Sequence, residues 1–392
     1  MILRRPRLAL SLVLALVLAG APAHAQPGSV TIPFDFIENR VVLQLKLDGK
    51  GPFAFVLDSG ASYMIAPQVV TALGLTPTGS FTIGGTGPNR VQASRVRIAS
   101  VSLGPITMND QTFTVTDFDE IRRASGLEAL DGLIGSELFR SYVVRIDYRA
   151  HLLTLTTPSR FAYHGRGEIL PCVLAGGTPR VEASLDGIAG AFTVDTGDRM
   201  DVTFMEPVIE REHLLDRYVP RVETITGWGF GGAVPGYIAR AHDLRLGSLD
   251  VREPLLRLPT VNGGFFTSHR LTGSIGTGVI DRFTVTFDYA HRRLIFEDPD
   301  ADQPTTYDRS GLWLNQGQGD FEVAAVAPQS PADQAGIAVG DRIIAVNGLP
   351  ASSLSLAQVR EWLRSQPGTR VLLTVEHRGR PTELAVTLRD LV

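Results

Sequence analysis

The sequence predicts a mainly β chain in which one β-domain occurs twice and a small α+β domain follows. Three observations lead there. An apolar run ending in Asp-Ser/Thr-Gly appears at Phe55-Val56-Leu57-Asp58-Ser59-Gly60 and again at Phe192-Thr193-Val194-Asp195-Thr196-Gly197. The 40 glycines and frequent Val/Thr/Leu runs favour strands joined by tight turns. Beyond a polar, proline-containing stretch, Asp298 to Thr305, the pattern changes to strands mixed with capped helices. At 392 residues the chain has room for two or three domains, and 44% hydrophobic content is ordinary for chains that bury a core.

The first 25 residues read as a secretory signal. Arg4, Arg5 and Arg7 form the basic region, Leu8 to Leu18 the apolar stretch, and Ala23-His24-Ala25 the small-x-small cleavage site. The apolar run is short for a membrane anchor, and Pro22 follows closely. This reading expects a periplasmic or secreted mature protein without a stable membrane anchor. The chain carries a net charge of −4, and losing the three arginines makes it more acidic. No basic patch stands out, which argues against nucleic acid as a partner. Cys172 is the single cysteine, so no intrachain disulfide forms, and it reads as a small core residue. His151, His242, His269 and His291 lack metal-ligand spacing and read as surface residues.

The first repeat spans about residues 29–157. Val42 to Leu47 alternates apolar and polar, turns at Asp48-Gly49, and returns along Phe53 to Leu57 as a hairpin ending at Asp58. Pro67 to Leu73 predicts a short helix closed by Gly74. Ile83-Gly84-Gly85-Thr86-Gly87 is a glycine-rich hairpin tip suited to a mobile flap. Leu133-Ile134-Gly135 and a hairpin from Val143 to Leu155 complete the repeat.

The second repeat, about 165–298, keeps this order. Val181 to Leu185 turns at Asp186-Gly187, Asp195 follows, and Gly227-Trp228-Gly229-Phe230-Gly231-Gly232 forms another glycine-rich tip. Ser274-Ile275-Gly276 and Asp288-Tyr289 match Leu133-Ile134-Gly135 and Asp147-Tyr148. Each repeat delivers one aspartate to the end of a buried strand, where an unpaired charge is costly. Two copies can bring the carboxylates together about a pseudo-twofold axis.

This constellation resembles the retropepsin-like branch of the aspartic proteases. The resemblance rests on the two Asp-Ser/Thr-Gly loops, the Ile-Gly-Gly-x-Gly tip 25 residues after Asp58, and the apolar-apolar-glycine segments, although Ser274 departs from that pattern. It implies two closed β-barrel lobes with a cleft between them. It implies Asp58 and Asp195 as catalytic residues, Ser59, Gly60, Thr196 and Gly197 as their support, and Ile83, Gly84, Gly85, Gly227, Trp228 and Gly229 as flap residues over a polypeptide. Two carboxylates within hydrogen-bond reach share one proton, giving a base and an acid that act on water with no metal or cofactor. Another departure is Asp198, where the family carries a small residue. Turned outward, Asp198 meets Arg199 or solvent; turned inward, it raises the pair's proton affinity and puts activity in doubt.

The C-terminal stretch, about 308–392 after a linker at 299–307, has its own pattern. Ser330-Pro331 opens a short helix, Arg342 to Val346 is a strand between turns, and Ser355 to Ser365 is an amphipathic helix with a Ser355–Gln358 capping box. Gly340-Asp341-Arg342-Ile343-Ile344-Ala345-Val346-Asn347-Gly348 and Ser330-Pro331-Ala332 closely resemble a PDZ domain. The resemblance implies capture of peptide C-termini or extended segments by Gly311, Leu312, Trp313 and Leu314, with Leu356 opening the groove helix. The favoured reading is an aspartic endopeptidase with a PDZ domain for polypeptide recognition. The alternatives are a non-catalytic peptide-binding protein with a degenerate cleft, and structural lobes that leave function to the PDZ domain.

Overall fold

The computed structural model describes residues 28–127, 129–297 and 304–392. The predicted signal segment and most of the predicted linker, 298–303, lie outside the described residues.

Each repeat folds into a β-lobe whose strand pairing returns on itself. In the first, strands Arg40–Leu47 and Lys50–Leu57 form the predicted hairpin. Pairing then runs through Gly132–Ile134, Met64–Ile65, Ile106–Val115 and Val91–Leu103, and closes where Leu45 meets Leu103. The second lobe repeats the circuit through Thr178–Leu185, Ile188–Val194, Gly273–Ile275, Val202–Phe204, Leu255–Pro259 and Gly232–Arg240. There the last strand breaks at Ala241-His242. Its continuation, Asp243–Leu246, closes the circuit onto Leu185.

A six-stranded sheet joins the lobes. Its order is palindromic: Ser29–Pro33, Leu152–Thr156 and Val143–Asp147 from the first repeat, then Thr284–Asp288, Arg293–Glu297 and Glu168–Pro171 from the second. Arg145 and Thr286 hold equivalent positions in the two repeats and pair with each other, so the pseudo-twofold axis passes between them. Leu57, Ile134, Ile146, Val194, Ile275 and Val285 are buried in one core that runs through both lobes. Cys172 is buried in that core, and burial pushes its thiol up to about 11.

The C-terminal domain builds a separate core from Leu314, Phe321, Ile343, Leu356, Val359 and Leu373. Its five-strand path runs from the edge strand Leu312–Gln316 to Arg380–Thr387. Both predicted helices form: Pro331–Gln334, capped by Ser330, and Leu356–Leu363, with the full Ser355–Gln358 capping box. The domain rests on the first lobe's helix Asp119–Ser125.

Candidate active site

Asp58 and Asp195 sit where two buried strands stop. Phe55-Val56-Leu57 pairs in parallel with Gly132-Leu133-Ile134, and Phe192-Thr193-Val194 with Gly273-Ser274-Ile275. These neighbours bury both faces of each strand, which is why each reads as a continuous apolar run. They also anchor the aspartates: Asp58 N–H donates to Ile134 O at 3.0 Å and Asp195 N–H to Ile275 O at 2.9 Å.

A reciprocal hydrogen-bond lattice locks the two loops together. Ser59 N–H donates to Thr196 Oγ1 at 3.0 Å, and Thr196 N–H to Ser59 Oγ at 3.1 Å. The hydroxyls in turn donate across the axis, Ser59 to Val194 O at 2.9 Å and Thr196 to Leu57 O at 2.8 Å. Both side chains are fully buried. Every member is satisfied, so the lattice fixes geometry without orphaned polar atoms. Gly60 and Gly197 allow the carboxylates to approach. A Cβ on Gly60 would lie 2.6 Å from Asp195 Oδ2, and one on Gly197 would lie 2.4 Å from Asp58 Cγ. Each glycine N–H also donates to its own loop's aspartate at 2.9 Å.

The carboxylates hydrogen-bond each other, and both have raised pKa values. Each is partly buried, with part of its surface open to the cleft. For Asp58, burial raises the value while the Gly60 N–H and, more weakly, Arg40 oppose it. For Asp195, burial is joined by the negative charges of Asp58 and Asp198, and the value goes well above the usual carboxylate range.

Asp198 has a counter-ion, and it is not Arg199. Asp198 ion-pairs with Arg257, a buried guanidinium held by Thr203 Oγ1 at 2.9 Å and lying 4.6 Å from the Phe266 ring centroid. Arg199 turns the other way, to Glu38 at 2.5 Å. Glu38 tips the hairpin between Asp35–Ile37 and Arg40–Leu47, where Glu38 and Asn39 both take positive φ. Its carboxylate also binds Arg360 of the C-terminal domain at 2.8 Å. Burial alone would raise Glu38, but Arg199, Arg360 and Arg364 outweigh it and lower the value. One carboxylate thus ties the first lobe to the second loop and to the C-terminal domain. The sequence carried signals for these residues: Arg257 is the one charge in Leu255-Leu256-Arg257-Leu258, and Arg360 stands on the apolar face set by Leu356, Val359 and Leu363.

The glycine-rich tips lie over the aspartates and meet each other. Gly87 N–H donates to Phe230 O at 3.0 Å, Asn89 N–H to Gly231 O at 3.3 Å, and Phe265 N–H to Gly85 O at 2.9 Å. Beneath them is a cavity of about 710 Å3, lined by both aspartates and by Ile83, Gly84, Gly85, Gly227, Trp228 and Gly229. Trp228 Nε1 reaches Glu120 at 3.4 Å, tying the second tip to the helix Asp119–Ser125. Among the described residues, no group of three potential metal ligands converges anywhere.

The residues expected to line the C-terminal groove lie at the start of strand Leu312–Gln316 and of helix Leu356–Leu363. Gly311 N–H is taken by Asp308 and Leu312 N–H by Ser310, so these donors are satisfied within the domain. Along strand Leu312–Gln316 the domain's own Arg360 donates to Leu314 O at 3.0 Å, and Arg123 of the first lobe donates to Gln316 O at 3.3 Å. Leu312, Leu314 and Leu356 are buried. Arg360 also donates to Ala124 O and Ser125 O, which fastens the groove helix to that lobe. Trp313 lines the interlobe cavity, with the Arg199 and Arg360 guanidiniums over its ring at 5.4 and 5.6 Å.

Residues 43–138, which include Asp58, the first tip and Leu133-Ile134-Gly135, match the aspartyl protease family, and residues 322–377 match the PDZ domain family. The chain carries an aspartyl protease domain followed by a PDZ domain. No curated protein matches it in sequence. Among solved structures, an aspartic proteinase from Irpex lacteus aligns at 12% identity and a TM-score of 0.45, covering 70% of this chain and 98% of its own. Basic 7S globulin from soybean aligns at 9% and 0.42, covering 69% and 95%. The match to the aspartyl protease family stops within the first lobe, so the second lobe's part in the protease domain rests on the repeated geometry described above.

Proposed function

We propose that the chain is an aspartic endopeptidase that hydrolyses peptide bonds with water activated between Asp58 and Asp195. The observation that carries this reading is the pair of carboxylates held in mutual hydrogen-bond contact by the Ser59–Thr196 lattice. A carboxylate pair in one enclosed site sheds the cost of two buried charges by sharing a proton. The asymmetry of their surroundings gives each a role. Asp195, beside Asp198, keeps the proton and polarises the scissile carbonyl. Asp58, nearer Arg40, carries the negative charge and takes a proton from water. The joined tips exclude solvent around an extended polypeptide and separate to admit it. The PDZ domain, braced on the first lobe, supplies part of the cleft wall through Trp313. The signal-like first 25 residues support a periplasmic or secreted enzyme.

The test compares the purified protein with Asp58→Asn and Asp195→Asn on unfolded protein substrates from pH 3 to 8. Each substitution alone is expected to abolish cleavage. Turnover that survives either one sinks the paired-carboxylate mechanism. Normal peptide binding by a wild-type chain that never cleaves would point to the non-catalytic alternative.

A further inference from the structure

The cleft holds a cation that biases Asp58 toward its charged form yet makes no direct ion pair of its own among the described residues. Arg40 begins strand Arg40–Leu47 and lines the cavity together with Asp58, Arg199 and Trp313. Its side-chain hydrogen bond is to a backbone carbonyl, Glu38 O, at 3.3 Å. Among the described residues it forms no ion pair with a carboxylate. The acids whose charge it feels all bond elsewhere: Glu38 to Arg199 and Arg360, Asp198 to Arg257, and Asp58 to Asp195 and the Gly60 N–H. An enclosed guanidinium with no carboxylate in direct contact is costly, and a second positive charge, Arg199, adds to that cost. Burial and Arg199 push Arg40 down to about 10, so it stays charged at neutral pH.

Apolar side chains also line the cavity, among them Val56, Met64, Ile121, Leu127 and Leu133. Trp313 lines it beside Arg199, whose guanidinium lies over its ring. A guanidinium fork matches a carboxylate in two parallel hydrogen bonds, and such bonds strengthen in an enclosed site. We propose that Arg40, backed by Arg199 and walled by Trp313, is a carboxylate-binding subsite that selects peptides presenting an acidic group near a large apolar residue. This selectivity rests on the peptidase reading, while the binding itself does not. A carboxylate there gives Arg40 the direct ion pair it lacks and eases its repulsion with Arg199.

The carboxylate has two possible sources, a Glu or Asp side chain and a peptide C-terminus. The experiment separates them. Full-length Asp195→Asn protein is titrated with amidated octapeptides carrying one Leu and one Glu, the Glu moved stepwise along the chain, and with their Gln counterparts. A third set carries Gln and a free C-terminal carboxylate at matching distances from Leu. The best Glu or free-terminus peptide is expected to bind at least about tenfold tighter than its neutral counterpart, the scale of a charged hydrogen bond. Adding Arg40→Met brings that ratio close to one, and Arg40→Lys restores part of it, which a purely structural role would not do.

Equal binding of acidic and neutral peptides overturns the subsite and leaves the peptidase reading standing if wild-type protein cleaves the neutral set. An acid preference in binding without cleavage by wild-type protein keeps the subsite and overturns the peptidase reading. If Arg40→Met moves the pH profile of cleavage but leaves the acid-to-neutral ratio intact, Arg40 serves Asp58 alone and the subsite falls.

Discussion

The two aspartate loops share a backbone and differ in their wiring. Both end a strand paired in parallel to an apolar-apolar-glycine segment or its Ser-Ile-Gly variant, and both enter the Ser59–Thr196 lattice through equivalent bonds. After the glycine they part. The first loop continues with Ala61 and Ser62, which are uncharged. The second continues with Asp198 and Arg199, and each joins a different ion pair: Asp198 with Arg257 inside the second lobe, Arg199 with Glu38 across to the first. Hydrogen bonds along the axis enforce a symmetric geometry. Charges placed off the axis make the two carboxylates inequivalent. Duplication thus supplies the pair, and divergence after the second glycine supplies the distinction between acid and base.

The largest expected effect comes from removing the acid that holds the second loop in place. Glu38→Gln leaves Arg199 and Arg360 facing each other without their shared counter-ion. Breaking a buried pair by deleting one partner costs about 3 kcal/mol or more. The variant is expected to unfold at a clearly lower temperature and to lose protection from limited proteolysis where the PDZ domain meets the helix Asp119–Ser125. An Ala61→Ser substitution in the uncharged first loop serves as the comparison. Unchanged thermal stability in Glu38→Gln would show that the bridge adds nothing, and with it the contrast between the loops would lose its structural meaning.

A smaller effect is expected from Arg257→Met, which leaves Asp198 unneutralised beside Asp195. Its negative charge then acts on both carboxylates in full, so both hold protons to higher pH. The acidic limb of the activity profile reports ionisation of the pair and is expected to move up by about one pH unit, equivalent to about 1.4 kcal/mol. A downward or absent shift in kcat/KM profiles would mean that Arg257 does not screen Asp198.

Much of this architecture was legible in the sequence because it is periodic. The duplicated lobes, the hairpin ending at Asp58, the helix Pro67–Leu73 with Gly74 left-handed after it, and the Ser355–Gln358 capping box all depend on neighbours along the chain. Residues that act across long separations were not legible. Glu38 and Arg360 meet through folding of three domains, and nothing local to Glu38-Asn39 beyond a hairpin turn announces it. Asp198 was visible as an anomaly, and its partner Arg257 as the one charge in an apolar strand, but nothing local joins the two. The groove of the PDZ domain was legible as a shape and misleading as a surface. Its edge strand and helix form as the pattern demands, yet that edge is already engaged, by Arg123 of the first lobe and by the domain's own Arg360, which Glu38 of that lobe holds in turn.

The smallest expected effect, the difference between two gains in stability, is also the most direct reading of inequivalence, because it needs no substrate. Asp195 has a folded-state pKa raised well above its ordinary value, so the folded protein holds a proton that the unfolded chain releases. Where the folded state binds more protons, stability falls as pH rises. The cost is absent below about pH 4, where both states are protonated. It grows as pH rises toward the folded value and stays complete above it. An asparagine has no such cost. Asp195→Asn is therefore expected to gain thermal stability over wild type at pH 7 and little at pH 4, by about 1.4 kcal/mol for each unit of raised pKa. Asp58 is raised too, but Arg40 opposes the effect of burial there while Asp198 adds to it at Asp195, so Asp58→Asn should gain less. Thermal unfolding of both variants at pH 4 and 7 provides the comparison. Equal gains would make the carboxylates equivalent, and a larger gain for Asp58→Asn would exchange their roles, placing the proton on Asp58 and the base at Asp195.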